Sequence, residues 1–255
     1  MMRPRFDLKI RDHLDRPEKK RLYNELHFSE AACRYDFATR AMSLGRDGAW
    51  KRALVAALPE LETPCCLDLA CGTGDIAFLL ARRFPEGAIL GLDLAEPMLD
   101  IARRRNRFAQ VRFARGDLGA TGLPTASFDL VTGSYAIRNA PELGAALDEI
   151  RRVLKPGGIA AFLDFSKSAS PFWQRLQYRL LKNWCGLWGL LLHGNPEIHS
   201  YIAASLQAFP DRHELRGLLR RHGFDLMAER RFYGGLLEML VVQKGLDPAG
   251  EVLAF

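Results

Sequence analysis

The sequence predicts an α/β fold with a mostly parallel sheet and an antiparallel hairpin at one edge. Two observations predict it. Between residues 65 and 165, short apolar runs alternate with turns and helical patterns, and strand, helix, strand is the unit that builds a parallel sheet. Near the C-terminus, the strand-like runs 224–231 and 236–243 are joined only through Tyr233-Gly234-Gly235, a connection short enough for a hairpin.

In chain order, residues 3–20 are dominated by charge and interrupted by Pro4 and Pro17, which predicts an irregular arm. Helical patterns follow over 18–42 and 47–58, the second capped by Asp47 and closed near Pro59. They are expected to flank or lid a ligand held by the next stretch, CCLDLACGTGD at 65–75. Thr63-Pro64 punctuates the chain before the buried run 65–69, Gly72-Thr73-Gly74 makes a tight turn, and 76–81 are good helix formers. Residues 88–93 form a second strand, a helix begins after Glu96-Pro97, and 111–114 form a third strand leading to Gly116-Asp117-Leu118. The fourth strand, 128–133, delivers Ser134-Tyr135-Ala136-Ile137-Arg138-Asn139 toward the same crevice. Pro141 starts a helix over 142–154 that 155–158 stop, and 159–165 are the fifth strand. A helix at 211–222 precedes the final hairpin.

Glycines suit a turn where a ligand lies against the backbone, because no Cβ intervenes and positive φ is free. The spacing Gly72-x-Gly74-x-x-Ala77 satisfies a loose nucleotide fingerprint, and a plain strand-to-helix turn satisfies it equally. The neighbouring charges discriminate between ligands. Asp68 near the strand end and Asp75 at the helix start would repel a pyrophosphate, so an NAD enzyme ranks last. They suit a cation such as S-adenosylmethionine (SAM), which carries a sulfonium and an ammonium. Asp93, about 20 residues beyond the glycines, is placed to take ribose hydroxyls, or else to cap the following helix. Asp117 and the Leu118 backbone contact an adenine or form a surface turn.

Hydrophobic residues at 48% and charged residues at 26% exclude a disordered chain and describe a soluble globular one. The net charge of +6 permits contact with anionic surfaces and equally describes a solvated surface; no nucleic-acid motif accompanies it. Five cysteines without regular spacing read as reduced thiols in a cytoplasmic protein, no zinc-type spacing points to a metal, and the N-terminus has no signal-peptide apolar region. Within 171–192, Trp173, Leu176, Leu180, Trp184, Leu187 and Leu191 fall at steps of three and four, while Arg175, Arg179 and Lys182 share another face. This amphipathic helix is too short in apolar residues to span a bilayer. It is a lid or peripheral membrane contact, or a helix packed on its own domain. The expected organisation is an N-terminal arm and helices at 1–58, a core at 59–245 with a helical insertion at 166–210, and a tail at 246–255. A homodimer is compatible with all of this.

Taken together, LDLACGTGD, GLDLAEPML, FDLVTGSYAIRN, RVLKPGG, LDFSKS and SLQAFP resemble the ubiquinone/menaquinone-biosynthesis C-methyltransferases, a group of class I SAM-dependent methyltransferases, from about Tyr35 to Lys244. The resemblance implies a doubly wound, Rossmann-like seven-stranded sheet with the last strand antiparallel. It implies SAM contacts from the Thr73 region, Asp93, Asp117, Leu118 and Ser134, and methylation of a hydrophobic quinol on carbon. Arginine is a poor base, so Arg138 is cast as stabilising a developing phenolate, with Asn139 or a held water assisting proton transfer. Alternatively, Arg138 ties its loop to Asp164. Departures from the family pattern fall mostly on the acceptor side: Thr39, Asp47 and Gly48 stand for Asn, His and Arg, Asp164 for Glu, and Ala203-Ala204 for Pro-Glu. They leave open another small-molecule acceptor with an O or N nucleophile, and a silent SAM-binding scaffold.

Overall fold

The computed structural model describes residues 16–245, so the first part of the expected irregular arm, 3–15, and the expected tail at 246–255 lie outside the described residues. Seven strands form one sheet in the order β3-β2-β1-β4-β5-β7-β6. They are β1 (Cys65–Leu69), β2 (Ala88–Asp93), β3 (Val111–Arg115), β4 (Phe128–Ser134), β5 (Leu154–Phe165), β6 (Phe224–Phe232) and β7 (Leu237–Lys244). The first five pair in parallel, β7 runs antiparallel to β5, and β6 closes the edge as a hairpin with β7. The architecture is the doubly wound one expected. Strand order reverses at β1 and β4, and the crevice of such a sheet opens at the C-terminal ends of those two strands.

Alternation along each strand sends side chains to two cores. Leu67, Leu69, Val131 and Phe162 share one core with Leu147 and Ile150 of α6 (Leu143–Val153) and Leu215 and Leu219 of α9 (Arg212–Arg221). Cys66, Leu130, Ala161 and Leu163 pack on the other face with Leu54 of α3 (Asp47–Ala56) and Leu80 of α4 (Asp75–Arg83). Helix α5 (Glu96–Arg105) sits beside β2 and β3.

Several boundaries differ from the sequence reading. Pro17 does not interrupt an arm but occupies the first turn of α1 (Pro17–Ala31), where its missing N–H is harmless. The expected 18–42 helix breaks at a 3₁₀ turn, Ala32–Arg34, before α2 (Tyr35–Met42), because Arg34 leaves helical geometry at φ −117° and ψ 2°. Asp47 does not cap α3; Arg46 holds that position, and Asp47 turns inward instead. Pro156 and the glycines do not separate helix from strand: β5 already begins at Leu154 and carries a register shift opposite β4.

The amphipathic segment forms α7 (Pro171–His193), which turns at Gly194 into α8 (Glu197–Ala208). Leu181, Cys185 and Gly189 are its buried side. The apolar stripe points the other way: Trp173, Leu176, Leu180, Trp184, Leu187 and Leu191 are all exposed, Leu180 at 61% and Leu191 at 64%. Packing on the domain accounts for the opposite face of this helix and, on the stripe, for Trp184, whose indole N–H donates to the Met42 carbonyl at 3.0 Å. Among the described residues, no helix is long and apolar enough to cross a membrane.

Candidate active site

The loops after β1 and β4 carry unusual backbone. Ala70 and Tyr135 adopt φ of 50° and 57°, conformations that L side chains avoid and that cluster at functional sites. Gly72 and Gly74 also have positive φ, for different reasons. A Cβ on Gly72 would meet nothing within 4 Å, so this residue leaves the crevice open. A Cβ on Gly74 would stand 2.9 Å from the Phe78 ring and 3.0 Å from Phe113, so ring packing at the helix N-terminus itself requires glycine there.

Three adjoining spaces meet at this point, and Tyr35 and Tyr135 line all of them. Two small ones form the cofactor crevice. One is walled by Asp93, Leu94, Met98, Asp117, Leu118, Ser134 and Asn139, the other by Lys51, Asp68, Gly72, Thr73, Asp75 and Ser134. The third is an apolar cavity of about 280 Å³, reaching Arg138 and walled by Ala31, Met42, Trp50, Phe165, Leu181 and Ile202.

In the crevice, Asp68 is 1% exposed; its Oδ1 accepts from the Thr132 hydroxyl at 2.9 Å, while Oδ2 is buried without a hydrogen-bond partner. Burial pushes this carboxyl up to about 7, against the opposing pull of Thr132. The Ser134 Oγ is likewise buried and unpartnered. Buried polar atoms are normally paired, so these two orphans and the open face at Gly72 fit a polar, cation-bearing ligand such as SAM.

Asp75 does not offer a free charge. Its carboxylate pairs with Lys51 at 3.0 Å and Arg105 at 2.8 Å. Burial opposes its ionisation, but Lys51 and then Arg105 hold the carboxyl below the usual range. Thr73 donates to Asp36 Oδ1 at 2.6 Å, and Arg105 reaches both Asp36 at 2.8 Å and the Thr73 carbonyl at 3.1 Å. Helix α2 is thereby clamped over the glycine loop. Asp93 accepts from Gly72 N–H at 2.8 Å and from Ala95 N–H at 2.9 Å, bracing two loops while its side chain faces the crevice; Ala95, not Asp93, is the N-cap of α5. Asp117 accepts from Gly119 N–H at 2.9 Å in a turn and pairs with Arg21 at 2.8 Å where it lines the crevice.

On the acceptor side, Arg138 is 1% exposed. Its Nε lies 3.1 Å from Asp164 Oδ1, its backbone N–H donates to Asp164 Oδ2 at 3.1 Å, and Nη1 donates to Ser205 of α8. The guanidinium stands over the Phe165 and Tyr201 rings at 5.4 and 5.5 Å. Burial works against its charge, but Asp164 outweighs it and keeps Arg138 above the ordinary arginine value. The tie to Asp164 is real, and the same side chain still reaches the cavity wall. Asn139 lies on the cofactor side: its Nδ2 donates to the Tyr135 carbonyl at 2.8 Å, bracing the strained residue. His27 and His199 also line the cavity, both neutral because burial lowers them to about 3 and about 4.

With this geometry in hand, a family model settles the relationship: the ubiE/COQ5 methyltransferase family model matches residues 18–244. The chain belongs to the ubiE/COQ5 methyltransferase family. It is 37% identical over 212 residues to the demethylmenaquinone methyltransferase of Thermus thermophilus, covering 81% of this chain and 95% of that one. It is 35% identical to the 2-phytyl-1,4-naphtoquinone methyltransferase of Thermosynechococcus vestitus, covering 85% and 97%. Among solved structures, the putative methyltransferase bound to the Trm112 activator of Haloferax volcanii superposes with a TM-score of 0.63 at 16% identity, covering 86% of this chain and 97% of that one. A SAM-dependent methyltransferase from Mesorhizobium loti gives 0.57 at 20% identity, covering 77% and 97%. These two share the fold.

As a ubiE/COQ5 family member, the protein is a SAM-dependent methyltransferase, and SAM is its cofactor. Sequence reasoning had not found Lys51, Asp36 or Arg105 at the glycine loop, nor Ser205 and Tyr201 beside Arg138. The last two ride on α8, whose buried Ile198, Ile202 and Leu206 recur at the three-to-four spacing that marks a helix.

Proposed function

We propose that the protein methylates a ring carbon of a hydrophobic quinol. The observation that carries this reading is the apolar cavity with a buried guanidinium in its wall, opening onto the cofactor crevice between Tyr35 and Tyr135. The printed names of curated relatives, which act on demethylmenaquinone and a phytyl naphthoquinone, support the same acceptor class.

In this reading Asp68, Gly72, Thr73, Asp93, Asp117, Leu118 and Ser134 hold SAM, with Asp68 facing its positive charge. When bound, SAM supplies an electrophilic methyl. Arg138 sits where a ring hydroxyl ionises, and its charge favours the phenolate whose electrons make the ring carbon nucleophilic. Tyr35 and Tyr135 stay neutral because burial pushes both phenols up, and they shape the passage in which ring and methyl meet. Tyr135 is fixed by donating to Asp47 Oδ1 at 2.9 Å, and Asp47 in turn pairs with Lys51 at 2.7 Å. That chain of contacts links the passage to Asp75 at the glycine loop. Of the expected N-terminal segment 1–58, the described residues 16–58 act as the cover of the site, and 59–245 as the catalytic core with its insertion at 166–210. The chemistry takes place in the cytoplasm at a membrane surface contacted through 171–192.

The test is methyl transfer from isotopically labelled SAM to a demethylated naphthoquinol. A ring-methylated product supports the reading, and a methyl ether or an unreacted quinol beside a different methylated acceptor overturns it.

A further inference from the structure

Arg138 is presented by a 3₁₀ turn, Ile137–Asn139, that the chain does not continue: it runs on through extended Ala140 into Pro141, which has no N–H. A helical turn leaves its last carbonyls without partners of its own. The N–H groups of Asn139 and Ala140 take the carbonyls of Ala136 and Ile137 at 3.0 and 3.2 Å. The carbonyls of Arg138, Asn139 and Ala140 come next, in residues no more than 6% exposed, where an unpaired oxygen is costly.

Helix α1 supplies their partners. The Lys20 ammonium donates to the Arg138 carbonyl at 3.2 Å and to the Ala140 carbonyl at 2.6 Å, and Asn24 Nδ2 donates to the Asn139 carbonyl at 2.7 Å. Four residues apart, the two side chains leave α1 on one face. Next to Lys20, Arg21 pairs with Asp117 at the crevice. Arg138 is thus held from two sides, its N–H and side chain by Asp164 and its carbonyl by Lys20. Lys20 itself lines neither the acceptor cavity nor the cofactor crevice.

We propose that Lys20, with Asn24, is a positioning residue for methyl transfer: by holding the carbonyl side of the turn, it sets the Arg138 guanidinium against the acceptor oxygen. The role rests on the quinol reading for what Arg138 faces, and on the three hydrogen bonds for how it is held. Both side chains ride on the cover of the site, so the turn is complete only when α1 is docked. The docking that brings Arg21 to Asp117 also sets the guanidinium. A cation suits the end of a helical turn, where it bonds the last carbonyls, but this one stands near another. Burial, and then the Arg138 guanidinium, bring the Lys20 ammonium down to about 8, against the pull of the Asp164 carboxylate.

The test is anaerobic single-turnover methyl transfer from labelled SAM to a demethylated naphthoquinol, run with the full chain on both sides of the Lys20 titration. Lys20→Met is expected to slow transfer about 100-fold, the loss that a misplacement of about 1 Å produces, with SAM affinity in calorimetry and acceptor KM unchanged. Lys20→Arg is expected to restore the rate to within about threefold, since a guanidinium stays charged and forks onto two oxygens. In the parent the rate should fall about fivefold as pH rises through the titration, because the bonds to the two carbonyls lose their charge; Lys20→Arg should lack this limb. Stability runs the other way. Between about 8 and 10.5 the unfolded chain holds this proton more than the folded one does, so Lys20 adds stability as pH rises, and a residue that merely supported the fold would produce no such limb. The limb is measured on the parent, and a flat profile there overturns the proposal whatever the variants do. Parental rate in Lys20→Met also overturns it and leaves Arg138 set by Asp164 and Ser205. Parallel loss of SAM affinity and rate overturns it in favour of a plain cover. The parent's product is scored first: an unmethylated naphthoquinol counts against the quinol reading, and the same comparison is then made on the acceptor that the parent does methylate.

Discussion

Replacing Arg138 with alanine removes a buried guanidinium and strands the Asp164 carboxylate, which is buried and loses its partner at 3.1 Å. Truncating one half of such a pair costs about 3–5 kcal/mol, because the remaining charge stays desolvated. For a chain of this size, at roughly 2–4 °C per kcal/mol, the melting temperature falls by about 6–20 °C. Loss of activity in that variant alone would therefore report unfolding as readily as chemistry. The double variant Arg138→Ala/Asp164→Ala removes the stranded charge and is expected to recover most of the stability. It still lacks the cation in the cavity wall, so kcat should remain about 10²–10³-fold down, the loss typical of one oxyanion-stabilising donor. Calorimetry should show SAM affinity unchanged, since Arg138 lines the acceptor cavity and not the cofactor crevice. Thermal melts, SAM titration and single-turnover transfer on the same preparation make the assay. A double variant that binds SAM and turns over at the parental rate would refute the electrostatic role and leave Arg138 a loop tether.

Asp68 titrates near 7 in the folded chain against 3.8 as a free side chain, so the ligand-free protein loses stability as pH rises from about 4 to 7, on the order of 4 kcal/mol, and Asp68→Asn removes that slope in pH-dependent melts. A cationic ligand needs the ionised carboxylate, so SAM affinity should rise about tenfold from pH 6 to 8 relative to Asp68→Asn, in which the ligand's own titration cancels. Gly72→Ala puts a methyl into the open crevice and should weaken SAM binding in calorimetry with a loss of stability of only about 1 kcal/mol, while Gly74→Ala drives into Phe78 and Phe113 and should lower the melting temperature more. Thr39→Phe narrows the apolar cavity from α2 and should raise KM for the acceptor while SAM affinity stays put; equal changes in both would contradict the division into chambers.

What the chain discloses locally and what it withholds follow a physical line. The strands were readable because their apolar runs are bounded by turn residues, and the glycine loop because positive φ restricts residue type. Asp68, Asp93 and Ser134 followed from their places at strand ends. Asp75 lines the crevice, but its ion pairs were not legible, because Lys51 and Arg105 come from α3 and α5 and no local pattern reports a partner 24 or 30 residues away. The clamp of Asp36 on Thr73 is hidden for the same reason. Gly74 shows that one residue type answers two demands, ligand clearance or ring packing, which only the neighbours Phe78 and Phe113 distinguish. The break at Ala32–Arg34 lies in a sequence with no proline or glycine to announce it, and it turns Tyr35 to the junction of the three spaces.

The most direct test of the central claim is the position of the transferred methyl. With methyl-labelled SAM and a demethylated naphthoquinol, mass spectrometry and carbon NMR of the product should show a single label on a ring carbon, formed by the parent and not by Arg138→Ala/Asp164→Ala. A label on oxygen, or the same ring-methylated product from both proteins at equal rates, would contradict it.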